Sequence, residues 1–420
     1  MTAYGAQDSF STSSLRQRDL SLLIAQVVNH YDTALYGLLA PLLGPLFFPN
    51  HAPVVQLFLT YGVIATGMLT RPLGTYVFSW LSVRKTPDFS IKISLAGVSV
   101  SMLFFAALPT HQTIGVLAPL GMVSARIILD FFVTGMRGLG GVMLLSNKNN
   151  RASFFWASLY GSADILGPLL ASGAVMMVTL LIPFFPEVWR FAFLIGALLC
   201  GLILLLPSHT LPLQTQDISL GKKTGVLHRE ALRRWRTLGV IALCSSFSYM
   251  TYAVPFVFMN SYVPLVTGIS LTQMTANNMV FLSFDMALPL VLSPLLSRYQ
   301  PANIMLCCAS LLAVTGGPLI CFLKNASLPY ILSVRFWFVF WGVLFGIAQA
   351  VWVSRLFQGP ARYALPGIGS VLGSSLLGRN TTLILLFCIQ AFGHPWGAGG
   401  YICLLSALTA LALVGQRKVT

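Results

Sequence analysis

Acidic residues are scarce in this chain. There are 10 Asp and Glu against 25 Lys and Arg in 420 positions, and charged residues make up only 8% of the whole. A soluble domain carries about 25%. With 56% hydrophobic residues and a mean hydropathy of +0.81, the chain cannot cover a surface with polar groups. That excludes a water-soluble globule and leaves lipid as the solvent. Catalytic and metal signatures are also missing. No G-x-x-x-x-G-K-[ST] loop exists, so ATP drive within this chain is not expected. No H-E-x-x-H occurs, and the seven cysteines make no C-x-x-C pair, so no metal or other cofactor is expected. The cysteines read as small apolar packers. His30 stands beside Asp32, so a Ser/His/Asp set built from distant residues stays open; no motif points to one, and the reading is of a protein that is not an enzyme.

What the chain has is long apolar runs, about twelve of them between residues 20 and 415, each long enough for a helix of about 20 residues to cross a bilayer. The expectation is an all-α membrane protein of twelve transmembrane helices in two six-helix halves. The net charge of +15 would suggest nucleic acid in a soluble protein. Here it lies between the runs and sets orientation, so no nucleic-acid partner is expected. Arg84, Lys85, Arg151, Lys222, Lys223, Arg233, Arg298, Arg355 and Arg417 fall on one side if the runs alternate. His51, His111, Glu187, Lys324 and His394 fall on the other. Both termini are therefore expected in the cytoplasm, with the protein in a bacterial inner membrane. The start, through Arg16 and Arg18, is polar and leads into a run too long for a signal-peptide core, so no cleaved signal is expected.

The one long polar connection divides the chain. The expected organisation is a cytoplasmic tail 1–18, a six-helix half 19–207, a basic cytoplasmic linker 208–235, a second six-helix half 236–416 and a tail 417–420. A faint repeat supports two copies. Leu81-Ser82-Val83-Arg84 recurs as Leu295-Leu296-Ser297-Arg298, Tyr36 matches Tyr252, and Asp32 then matches Ser248. Duplicated halves are a transporter architecture with the site between them.

Asp32 lies where a membrane helix should hold only hydrocarbon. A carboxylate at that depth costs about 2.5–3.5 kcal/mol on insertion scales, so a cavity or a cation should face it. Asn29, Asp32 and Tyr36 share one helix face. The other acids inside runs are Asp130, Asp164 and Asp285; the cations are Arg126, Arg379 and Arg335. Arg126 and Asp130 are spaced i, i+4 and can neutralise each other, as structure or as machinery. Arg379 reads either as an anion-binding fork or as a packing arginine that meets Asp285. Gln349, Asn277 and Asn278 suit a cavity wall or interhelical hydrogen bonds. Trp156, Trp189 and Trp396 lie near run ends, as an interfacial belt would.

Tyr31-Asp32, Tyr36-Gly37 and Phe47-Phe48-Pro49, followed by Arg71-Pro72-Leu73-Gly74, Phe78 and Arg84, resemble the metabolite:proton symporters of the major facilitator superfamily. Trp189-Arg190 with Phe193 and Gly196, then Leu356-Phe357 with Arg362-Tyr363, and Leu377-Gly378 with Thr381 continue the resemblance in order over nearly the whole chain. That family carries 2-oxoglutarate, shikimate, citrate, proline and betaine. The family's first-span Glu is Asn29 here, its second-span loop Asp is Val83, and Arg379 replaces a Gly.

The resemblance implies a twelve-helix secondary transporter moving a small carboxylate-bearing metabolite with a proton by alternating access. Asp32, Arg126 and Asp130 would couple the proton. Tyr36, Asn29, Arg126, Arg379 and Gln349 would bind substrate, and Arg71, Gly74, Arg84 and Arg298 would gate. In related sugar symporters a first-span acid faces a fourth-span Arg, and here Asp32 would face Arg126. The partners are a small organic anion or zwitterion, protons and membrane lipid, with the monomer as the working unit. Two alternatives stand: a proline/betaine-type zwitterion symporter, and a non-transporting membrane sensor on the same scaffold, motivated by Val83.

Overall fold

The computed structural model describes residues 12–84, 87–134, 150–205, 232–324, 326–357 and 361–417. The expected basic linker lies almost wholly outside these, as does the end of the long run that was expected to reach residue 145. Among the described residues there are only helices, forming twelve rods. The first half contains α1 (Thr12–Phe47), α2 (Pro53–Ala65), α3 (Gly67–Arg84), α4 (Pro87–Ala107), the single turn α5 (His111–Ile114), α6 (Leu117–Val133), α7 (Asn150–Leu181) and α8 (Trp189–Leu205). The second contains α9 (Trp235–Ala253), α10 (Met259–Val266), α11 (Leu271–Leu296), α12 (Pro301–Cys321), α13 (Leu328–Leu356), α14 (Ala361–Gly373), α15 (Thr381–Phe392) and α16 (Trp396–Arg417). α2 and α3 form one rod interrupted at Thr66. α9 and α10 are joined by a π-turn at Val254–Phe258, and α14 and α15 by a second at Ser374–Gly378. α1 begins at Thr12, earlier than the expected tail boundary, so helix continues through the polar start of the chain.

Eight of the described stretches are long and apolar enough to cross a membrane, and Lys92–Ala107 and Trp189–Leu202 are shorter apolar helices. Large apolar side chains such as Val100, Leu120, Leu198, Val291 and Val314 point outward and are mostly exposed. In water this would be an aggregation hazard. In a bilayer it is the surface that meets acyl chains.

Inside, one core draws on α1, α2, α4, α6, α7 and α8, around Tyr31, Phe105, Trp189 and Phe193. A second is built mainly from α9 to α16, with Tyr61 and Phe154 reaching into it from the first half. Trp189 is a correction to the interfacial reading: it is 1% exposed and packs edge-on against Phe47 and Phe193. Its neighbour Arg190 donates through Nη1 to Ala106 O at 2.6 Å and Leu108 O at 2.7 Å, covering carbonyls left open at the end of α4. The Trp-Arg motif is a structural clamp here.

Lipid supplies no hydrophobic drive between helices, so close approach must come from small residues. Gly167 on α7 lies against the backbone of α1 at Val27, His30 and Tyr31. Gly373 on α14 lies against the backbone of α9 at Ala242. These are the first and fifth rods of each half. A Cβ at either site would overlap main chain that cannot turn aside. Gly373→Val is therefore expected to force α9 and α14 apart and cost at least the ~1–3 kcal/mol of overpacking. The yield of monodisperse protein and its melting temperature in detergent check this, with Gly201→Val, where a Cβ would meet nothing within 4 Å, as the neutral control.

Candidate functional site: a buried charge knot above a cavity

The acid of α6 is the centre of the site. Asp130 is fully buried. Arg71 of α3 donates to its Oδ1 from Nε at 3.0 Å and Nη2 at 2.5 Å. Arg126, one helical turn back, reaches Oδ2 from Nε at 3.1 Å and Oδ1 from Nη2 at 3.3 Å. Arg379 comes from the second half, its Nη1 3.7 Å from Oδ1. The sequence suggested a two-member pair; the structure gathers three guanidiniums on one carboxylate. Gly67 opens the room, because a Cβ there would overlap the Asp130 carboxylate.

Asp32 lies beside this knot, within electrostatic reach of Arg126, Asp130, Arg71 and Arg379. It is 2% exposed, and neither carboxylate oxygen has a hydrogen-bond partner. Among the described residues the cluster holds three guanidiniums and two carboxylates, a formal charge of +1 if both acids are ionised. The geometry thus favours an anion and leaves Asp32 as the acid that no donor holds in one state. Tyr36 supports the knot from below. Its ring lies under Arg126 at 5.1 Å, and its hydroxyl donates to Thr60 O at 3.0 Å.

The cavity lies between the halves, with a volume of about 460 Å³. It runs from Asp164, Tyr252 and Asp285 toward Ser354 and Pro366, at the end of the bundle where α1 starts and α13 stops. At the opposite end the halves are joined. Tyr61 OH of α2 donates to Gly37 O at 2.8 Å and lies 2.8 Å from Ser261 Oγ of α10. Because the phenol has one proton, the serine hydroxyl donates to it. Within the cavity, His30 Nδ1 lies 3.8 Å from Asp164 Oδ1, and Gln349 donates to Ser245 Oγ at 2.9 Å. Ser162 donates to Met286 O at 2.7 Å and ties α7 to α11 beside Asp285.

The expected site residues separate into groups. Asp32, Arg126, Asp130, Tyr36 and Arg379 come together. Arg379 meets Asp130 rather than Asp285; it also donates to Thr33 Oγ1 at 3.2 Å and lies over the Tyr249 ring at 5.7 Å. Gln349 lines the cavity, whereas Asp32 and Tyr36 do not. Of the cavity or cation expected to face Asp32, the structure places cations beside it: Arg126, Arg71 and Arg379 lie within electrostatic reach. Arg71, expected at the gate, is buried in the knot. Gly74 packs α3 on α6, where a Cβ would meet Phe131 O and Thr134 Oγ1 at 2.5 Å. Arg298 is exposed at the end of α11. The side chains of Asn29 and Arg84 lie outside the described ones. Sequence reasoning missed Arg71 as a partner of Asp130, and the Tyr61–Ser261 bridge. The single trace of the first was a charged residue before Pro72 inside an apolar run.

The buried charges lie where the two six-rod halves meet. No family model matches the chain. It is 24% identical to the alpha-ketoglutarate permease of Escherichia coli, over 98% of this chain and 97% of that one. It is 27% identical to the glycine betaine/proline/ectoine/pipecolic acid transporter OusA of Dickeya dadantii, over 59% of this chain and 53% of that one. The fold is that of the xylose transporter XylE from E. coli in a partially occluded inward open conformation. The TM-score is 0.70 at 16% identity, covering 95% of this chain and 97% of that one. It is also 24% identical to the shikimate transporter of Escherichia coli, over 98% of this chain and 97% of that one, so the likeness to metabolite carriers runs the length of the chain.

Proposed function

We propose that the chain carries a small carboxylate-bearing metabolite across a bacterial inner membrane together with a proton, alternating access between the two ends of the bundle, with both termini cytoplasmic. One observation carries this reading. Arg379 of the second half is held across the interface by Asp130 and Thr33 of the first, in a cluster with surplus positive charge. Its 3.7 Å contact to Asp130 is the longest in the knot. A substrate carboxylate entering from the cavity competes for that guanidinium, whose planar fork accepts carboxylate oxygens in pairs. Protonation of Asp32 adds to the surplus charge and strengthens the pull on the anion. Binding of both releases the halves from each other, which is the step symport needs. Gln349 and Ser245 offer neutral hydrogen bonds on the cavity wall.

The wall itself favours a second reading. Among the described lining residues it carries Asp164 and Asp285 and no arginine, with Tyr252 and Phe256 beside them. A solute with a carboxylate at one end and an ammonium at the other suits such a wall, the cation lying against acids and aromatic faces. Uptake of labelled 2-oxoglutarate and of proline into proteoliposomes separates the two readings. A sensor built on the scaffold binds without accumulating either solute.

Asp32→Asn tests the coupling. The variant is expected to lose uphill uptake driven by an imposed pH gradient and to keep substrate counterflow at a near wild-type rate. Unchanged gradient-driven accumulation in that variant removes Asp32 from the coupling role.

A further inference from the structure

Arg335 is a second buried guanidinium, remote from the knot. It lies in α13 with 0% exposure. Its Nη1 is 3.4 Å from Met274 O at the start of α11, and its Nη2 is 3.4 Å from Asn260 Oδ1 on α10. Both distances are at the outer edge of hydrogen bonding. Nε has no partner, and no carboxylate pairs with this arginine among the described residues. The same corner holds other unmatched polar groups. Asn260 Nδ2 has no partner, and neither do Thr275 Oγ1 and the amide of Asn278, on the turns of α11 that begin at Met274. All three residues are fully buried. In a region without water, orphaned donors around a full positive charge are costly.

The first half shows what completes such a corner. α6 is the fourth rod and α13 the tenth, so they are counterparts in the two copies. Arg126 on α6 finds Asp130 one turn on. One turn on from Arg335 stands Val339, buried and apolar. We propose that a small inorganic monoanion, a halide, binds between Arg335, Asn260 and the first turns of α11 and supplies the charge that Asp130 supplies in the first half. The site is enclosed and rich in donors, which favours a monatomic ion over an organic acid. Arg335, Asn260 and Asn278 do not line the central cavity, so the site is separate from the substrate path. A structural water could accept hydrogen bonds there but would bring no charge.

The test is full-length protein purified throughout in bromide, desalted quickly, and assayed for bromine by mass spectrometry. Wild type is expected to retain about one bromide per chain, with a melting temperature about 3 °C higher in bromide than in gluconate at equal ionic strength. Arg335→Met is expected to lose both signals, whereas Arg379→Met, which alters the other arginine cluster, keeps them. Asn260→Leu, with Arg335 intact, serves if Arg335→Met fails to fold and is expected to lower occupancy several-fold. Wild type without retained bromide overturns the proposal, as does equal bromide in wild type, Arg335→Met and Asn260→Leu.

Discussion

Asp130→Asn is expected to lower the melting temperature by about 5–10 °C and the yield of folded protein several-fold, because removing one member of a buried ion cluster costs about 3–5 kcal/mol. The loss is larger than for an ordinary pair. Arg71 and Arg126 both donate to this carboxylate, and Arg379 lies against it. The amide retains the shape but only one acceptor atom and no charge, so three guanidiniums are left beside Asp32 alone. Thermal denaturation followed by the monodisperse peak in detergent measures the effect. A melting temperature within 2 °C of wild type would mean that water or lipid, and not Asp130, compensates the arginines.

Arg379→Gln is expected to do the reverse: leave stability nearly unchanged and sharply reduce transport. Without this guanidinium, Arg71 and Arg126 balance Asp130 and Asp32, so the cluster becomes neutral with both acids ionised. Stability should therefore change by less than about 1 kcal/mol, the range of a weak or exposed pair. A buried substrate carboxylate that loses its charged partner costs about 2–5 kcal/mol. The lower part of that range is roughly a 30- to 100-fold fall in uptake at subsaturating substrate. Arg379→Lys should recover little, since a point charge does not reproduce a bidentate fork. The double variant Asp130→Asn/Arg379→Gln should regain part of the stability lost in Asp130→Asn while remaining inactive, because one unmatched guanidinium has been removed. Wild-type uptake by Arg379→Gln would take this residue out of substrate binding.

The sequence revealed much of this molecule for a simple reason. A charge inside an apolar run is costly, so Asp32, Arg126, Asp130 and Arg379 are conspicuous without any structure. The spacing of Arg126 and Asp130 on one helical face made their pairing readable as well. Their other partners were not readable. That Arg71 and Arg379 reach the same oxygen depends on how α3 and the π-turn before Arg379 are rotated about their axes, and neither rotation is set by local periodicity. Tyr61 and Ser261 are ordinary residues for a membrane helix, and only packing of the halves brings their hydroxyls together. Trp189 misled for the opposite reason: a position near the end of a run suggests the headgroup layer, but α8 turns that face toward Phe47 of α1.

The π-turn at Ser374–Gly378 carries one residue more than an α-turn would, and Arg379 N closes it on Ser374 O at 2.9 Å. Asn380 stitches it from outside, donating to Ser375 O at 3.2 Å and Leu376 O at 2.9 Å. Letting that extra residue pass along the rod would turn whatever follows by about 100° about the rod axis, with little change in backbone bonding. Arg379 is the first residue to feel such a turn. The eleventh rod therefore has a built-in swivel, by which a guanidinium can face the first half in one state and the solute passage in another while the rod around it stays whole.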